Sequence, residues 1–235
     1  MTRPKSTNES LELEEAPTAS QVSRRKFLSY AGLSGGLLAA AASCKKSNNN
    51  GDFNSGAYMG SGDIGILNYA YALEQLEAAF YIQVALTPYS GITALETALL
   101  TDIRDHEVAH REFFKAALGN AALPALEVNF SSITFSSRDS VLATAKTFED
   151  LGVSAYNGAG RLITNPAYLE LAGKIVSVEA RHAAYIRDLI SNGSFADSSV
   201  VDLNGLDKSR KPLEVLTMAK PFIKTALNAS DLPSY

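Results

Sequence analysis

Two glutamate and histidine pairs in this chain share one spacing: Glu107 with His110, and Glu179 with His182. Residues three apart on a helix project to one side, so each pair can present a carboxylate and an imidazole to a single metal ion. Two more glutamates complete a repeat. Glu74 stands seven residues before Tyr81 and Glu149 seven before Tyr156, so the chain order is Glu, Glu-x-x-His, Glu, Glu-x-x-His. The whole sequence holds only three histidines. Finding two of them in the same ligand spacing points to a paired metal site.

Four helices must carry these residues. The first is expected from Asp63 to about Leu86, with Leu67, Ala70, Glu74, Glu77, Tyr81 and Val84 on one stripe, and Pro88 to Gly91 breaks it. The second runs from about Thr93 to Leu118 with Leu100, Ile103, Glu107, His110 and Phe114 inward, and stops at Gly119. Residues 121–137 have no helical period and are long for a loop, as a crossover between parallel second and third helices requires. The third helix, capped by Ser137 or Asp139, carries Leu142, Ala145, Glu149 and Tyr156 and ends near Asn165. The fourth, about Ala167 to Ile190, carries Ile175, Glu179, His182 and Ile186. A shorter fifth helix is expected from about Leu213 to Leu227, interrupted or kinked at Pro221.

The glutamates share their stripes with leucines, isoleucines and aromatics, so packing four helices buries them. An ionised carboxylate taken from water costs several kcal/mol unless compensated. Glu74, Glu107, Glu149 and Glu179 carry four negative charges, which two divalent cations balance, with neutral His110 and His182 completing each side. Hard oxygen ligands with one imidazole per ion suit iron, with manganese as the alternative, and leave room for water, dioxygen or peroxide. Glu77 lies one turn after Glu74 and has three possible roles: a fifth ligand, a base behind the ligands, or the partner of Arg104 or Arg181. Tyr81 and Tyr156 either hydrogen-bond ligands across the bundle or form ordinary core with a satisfied hydroxyl. His106 points about a hundred degrees away from Glu107 and is expected on the surface. Asp105 and Asp150 are expected to be solvated or paired along a helix.

Composition closes other routes. At 235 residues and 46% hydrophobic content the chain can bury one substantial core. A net charge of −4 with interspersed signs gives no basic stripe for nucleic acid. The single cysteine, Cys44, excludes an internal disulfide and a Cys-x-x-Cys metal site.

The constellation from residue 63 to about 191, with the segment Leu73-Glu74-Gln75-Leu76-Glu77-Ala78-Ala79-Phe80-Tyr81, resembles the ferritin-like superfamily, in particular its exported bacterial branch related to desiccation-associated proteins. The resemblance implies an all-α, ferritin-like four-helix bundle holding two iron ions. Glu107 and Glu179 would bridge the ions, Glu74 and Glu149 would be terminal ligands, and His110 and His182 would bind one ion each. It further implies reaction with dioxygen or peroxide, in ferrous iron oxidation or oxidant defence. The alternative from another class is a non-enzymatic, stress-protective or structural bundle at the cell envelope, with or without metal. A cysteine set for a built-in electron relay is missing.

The N-terminus reads as an address. Ser23-Arg24-Arg25-Lys26-Phe27-Leu28 resembles a twin-arginine export signal, which would make the twin-arginine machinery a partner and deliver a folded, metal-loaded protein outside the cytoplasm. Ala41-Ala42-Ser43-Cys44 resembles a lipobox, with Ala41 where leucine is more usual, and lipidation at Cys44 would be the only membrane attachment; cleavage after the alanine run is the rival. The expected organisation is a signal over 1–44, a flexible Asn, Ser and Gly linker over 45–62, the bundle over 63–191, and a C-terminal loop and helix over 192–235.

Overall fold

The structure is a computed structural model in which residues 53–235 are described; the signal, the Cys44 motif and the first part of the linker lie outside the described residues. Four long helices dominate: α1 (Gly62–Leu86), α2 (Ala94–Leu118), α3 (Arg138–Gly160) and α4 (Pro166–Ile190). Their local causes are legible. A capping box starts α2: the Glu96 amide donates to Thr93 Oγ1 at 3.1 Å, and the Thr93 amide donates to Glu96 Oε2 at 3.0 Å. Ser137 caps α3 by accepting from the Ser140 amide. Asn165 caps α4 by accepting from the Ala167 amide at 2.9 Å, and Pro166 is its first helical residue. Pro166 thus opens α4, and α3 stops earlier than expected, at Gly160: Leu162 and Ile163 turn back on the carbonyls of Ala159 and Gly160, and the Thr164 and Asn165 amides donate to the Asp63 carboxylate.

Helices α1 and α2 pack as one antiparallel hairpin and α3 and α4 as another, and residues 122–137 cross from the first to the second. This is the ferritin-like bundle with its long crossover. Helix α1 is buried on every side from Gly65 to Ala78, so it has no polar face to water. The crossover supplies part of that cover and is fixed to α1 by two buried amides. Asn68 donates to the carbonyls of Met59 and Ala121 and accepts from the Leu123 amide. Gln75 accepts from the Leu126 amide at 2.9 Å. Phe130 and Phe135 then pack against Phe80, which also meets Phe148 edge to face with centroids 5.2 Å apart.

The two ends of the described chain meet. Strand β1 (Ala57–Tyr58) pairs in parallel with β2 (Leu227–Asn228), and Met59 is fully buried. Packed structure therefore begins before Asp63, and the expected linker ends earlier, because residues 53–61 supply a strand and the core side chains Phe53 and Met59. The C-terminal helix α5 (Pro212–Ala219) is interrupted at Pro221, as one of the two expectations had it: a 3-10 turn at Lys220–Phe222 follows, and no helix resumes towards Leu227. Val215 and Leu216 bury α5 on the bundle. Its approach depends on Gly158, where an added Cβ would meet the Arg210 carbonyl, and the Arg210 amide donates to the Ser154 carbonyl at 2.9 Å.

A buried carboxylate and imidazole cluster at the bundle centre

All six residues of the paired spacing converge between the four helices. Glu74 comes from α1, Glu107 and His110 from α2, Glu149 from α3, Glu179 and His182 from α4. Each of the four glutamates is completely excluded from solvent, and His182 is buried. Their ligand atoms form two groups, Glu74, Glu107, His110, Glu179 and Glu107, Glu149, Glu179, His182, with the atoms of each within 4.8 Å of one another. Glu107 and Glu179 belong to both groups.

The distances show how tightly the atoms crowd. His110 Nδ1 lies 2.8 Å from Glu179 Oε1 and 3.5 Å from Glu74 Oε2. His182 Nδ1 lies 2.9 Å from Glu107 Oε1 and 3.5 Å from both Glu149 Oε2 and Glu179 Oε2. Despite this proximity, both Nδ1 atoms, both oxygens of Glu107 and of Glu179, and Oε2 of Glu74 and of Glu149 make no hydrogen bond of acceptable geometry. The atoms lie close together without bonding to one another. Buried polar groups are almost always satisfied, so this many orphaned atoms in one place make a cluster that could hold a metal ion.

Electrostatics follow from the crowding. Burial raises the Glu149 carboxyl to about 7, with the Glu179 charge adding to it, against the lowering effects of His182 and Tyr81. Burial and Glu179 push Glu107 well above the usual carboxylate range, and the same two causes raise Glu74. Burial also opposes ionisation of Glu179, but the two close imidazoles overcome it and hold this carboxyl at about 2. Burial opposes charge on the imidazoles too. The surrounding carboxylates prevail, raising His110 to about 10 and His182 to about 12. Without a cation the cluster therefore draws in protons.

The tyrosines cross between hairpins. Tyr81 on α1 donates to Glu149 Oε1 at 2.5 Å, and Tyr156 on α3 donates to Glu74 Oε1. Each leaves Oε2 of its glutamate free to face the centre. Glu77 is buried beside the cluster but belongs to neither convergent group. Burial first, then repulsion from Glu107, Glu179, Glu149 and Glu74, pushes its carboxyl well above the usual range. Gly152 on α3 gives it room, since a Cβ there would stand 3.1 Å from Glu77 Oε1. Of the proposed arginine partners, Arg104 pairs instead with Asp105 at 2.7 Å. Asp150 pairs at 2.6 Å with Arg187, a side chain only 1% exposed.

His106 is the residue that the helical stripe misses. It is solvent-facing as expected, yet its Nδ1 lies 2.9 Å from His182 Nε2. The signal available in the sequence was scarcity: all three histidines belong to this neighbourhood, and His106 stands one turn before His110.

The ferritin-like domain family matches residues 62–192, the stretch that contains the four helices and the whole cluster. The chain belongs to this family. A search of the curated proteins returned no match.

Proposed function

We propose that this is an exported di-iron carboxylate protein that reacts with dioxygen or peroxide, in ferrous iron oxidation or in oxidant defence. The observation that carries the reading is the set of orphaned, inward-aimed atoms on Glu74, Glu107, His110, Glu149, Glu179 and His182. Four carboxylates balance two divalent ions, and an all-oxygen and imidazole donor set suits iron, with manganese the alternative. Glu107 and Glu179, shared by both groups, would bridge; Glu74 with His110 and Glu149 with His182 would complete one ion each. Bound iron would supply electrons to dioxygen or peroxide. The protein's own work is to hold and orient. Tyr81 and Tyr156 fix the terminal carboxylates through Oε1, the bundle excludes bulk water, and Glu77 holds a proton beside the centre. Export rests on Arg24 and Arg25, and envelope anchoring on Cys44.

One observation favours a second reading, a protective or structural bundle without turnover. The close His110 to Glu179 and His182 to Glu107 pairs give the fold some charge compensation of its own. Metal analysis after loading with ferrous iron separates these. The expected result is two ions per chain in wild-type protein, loss of binding in Glu107→Ala/Glu179→Ala, and consumption of dioxygen or peroxide by the loaded protein. Fewer than one ion per chain, unchanged by the double substitution, would overturn the di-metal reading. Tight loading without oxidant consumption, with metal removal lowering the melting temperature, would establish the structural one.

A further inference from the structure

We infer that His106 is a positioning residue for His182, accepting a hydrogen bond from His182 Nε2–H on Nδ1 and thereby aiming His182 Nδ1 into the carboxylate cluster. This rests on the di-metal reading of the same site.

The geometry carries it. The two imidazoles are parallel within 8° with centroids 5.2 Å apart, while their nearest nitrogens are 2.9 Å apart. At that centroid distance a contact so short places the rings edge to edge, with the N–H of one directed along the lone pair of the other. An imidazole has two nitrogens, and what the outer one does decides the tautomer and orientation that the inner one offers. His182 Nδ1 faces Glu107, Glu149 and Glu179 and in the di-metal reading would give its lone pair to the ion held there, which leaves Nε2 to carry the proton and His106 Nδ1 to accept it. His106 then exposes its own Nε2–H to solvent.

The two halves of the cluster differ here. Among the described residues, His110 has no protein hydrogen bond on its outer nitrogen, although its Nδ1 is placed just as closely against Glu179. The near two-fold repeat of the ligands is thus broken outside them. The half holding Glu149 and His182 has an oriented imidazole, and the half holding Glu74 and His110 does not. The chain should accordingly bind one ion more tightly than the other.

Cobalt(II) titration of the full-length protein, followed by its visible absorption, tests this alongside His106→Ala and His106→Asn. Asparagine places Oδ1 where Nδ1 stands and restores the acceptor. Wild type should fill in two resolved steps. His106→Ala should weaken the tighter step by about tenfold to a hundredfold, as loss of an orienting partner typically does, and shift its absorption bands, while His106→Asn should recover both. A metal-free readout accompanies it: nitrogen-15 spectra should show a protected His182 Nε2–H in wild type and His106→Asn that exchanges rapidly in His106→Ala. Equal cobalt affinity in wild type and His106→Ala, with wild type still taking two ions, overturns the positioning role and leaves the di-metal reading intact. Wild type that binds no cobalt overturns both. An unprotected His182 Nε2–H in metal-free wild type overturns the hydrogen bond whatever the metal result.

Discussion

Tyr81 on α1 donates its hydroxyl to Glu149 on α3 at 2.5 Å, joining the two hairpins through the wall of the cluster. Tyr156 and Glu74 make the reciprocal link from α3 to α1. Each bond satisfies one oxygen of a buried carboxylate and leaves the other facing inward.

Replacing either tyrosine with phenylalanine should therefore loosen one terminal carboxylate. A hydrogen bond to a charged group contributes about 1.5–3 kcal/mol, so each single variant should lose up to that amount in urea denaturation of the loaded protein. Tyr81→Phe should further raise the Glu149 carboxyl, since Tyr81 holds it down. Metal affinity of Tyr81→Phe and Tyr156→Phe should fall while the far-ultraviolet spectrum stays helical. Unaltered affinity and stability in both would show that the hydroxyls are merely core.

Metal-free protein should lose stability as pH rises. Glu74, Glu77 and Glu107 have folded-state values above the ordinary 4.5, and Glu149 is raised to about 7. Between 4.5 and those values the folded chain binds more protons than the unfolded one, so stability falls across that window. His110 and His182, raised from 6.5 to about 10 and about 12, contribute stability that is fully present below 6.5 and is lost as pH rises through those values. Glu179, held at about 2, acts oppositely, its contribution disappearing only as pH falls below 4.5 towards 2. Chelated protein should thus melt lower at pH 8 than at pH 5, and loading with metal should remove the fall. A chelated melting temperature that climbs from pH 5 to pH 8 would contradict the assignment.

Arg187 should matter to stability without touching the cluster. Its buried guanidinium binds Asp150 at 2.6 Å, Asp197 at 2.7 Å and the Ser194 carbonyl at 3.0 Å, fixing the loop after α4 to the bundle. Asp150 and Asp197 keep 20% and 45% of their side chains exposed, so losing the guanidinium should cost about 1.5–3 kcal/mol, the range for hydrogen bonds to charged groups, and less than for a fully buried pair. Arg187→Ala should show that loss in urea midpoint and faster proteolysis between residues 192 and 211, with ion stoichiometry unchanged. Wild-type resistance to protease would show that the loop is held by other contacts.

Much of this molecule is written locally. The spacing of Glu107 with His110 and of Glu179 with His182 is a property of a single helix turn, and Thr93, Ser137 and Asn165 announce helix starts through their own side chains. The six cluster residues and the four helices were accordingly legible, as was the crossover, whose lack of helical period is also local. The contributions of Met59, Gln75 and His106 were not. Met59 is buried only because residues 57–58 pair with residues 227–228 from the other end of the described chain. Gln75 lies off the inward stripe, yet it is buried because the crossover folds over it. His106 lies off its own helix's stripe, and only the approach of α4 brings His182 Nε2 within 2.9 Å. Periodicity reports which side of one helix turns inward, whereas contacts on its flanks depend on where a neighbour lies. The sequence by itself determined the residue types of the cluster, their order and the helices that carry them. Tertiary structure alone decided which side chains stand behind the cluster, because those partners belong to segments far apart in the chain.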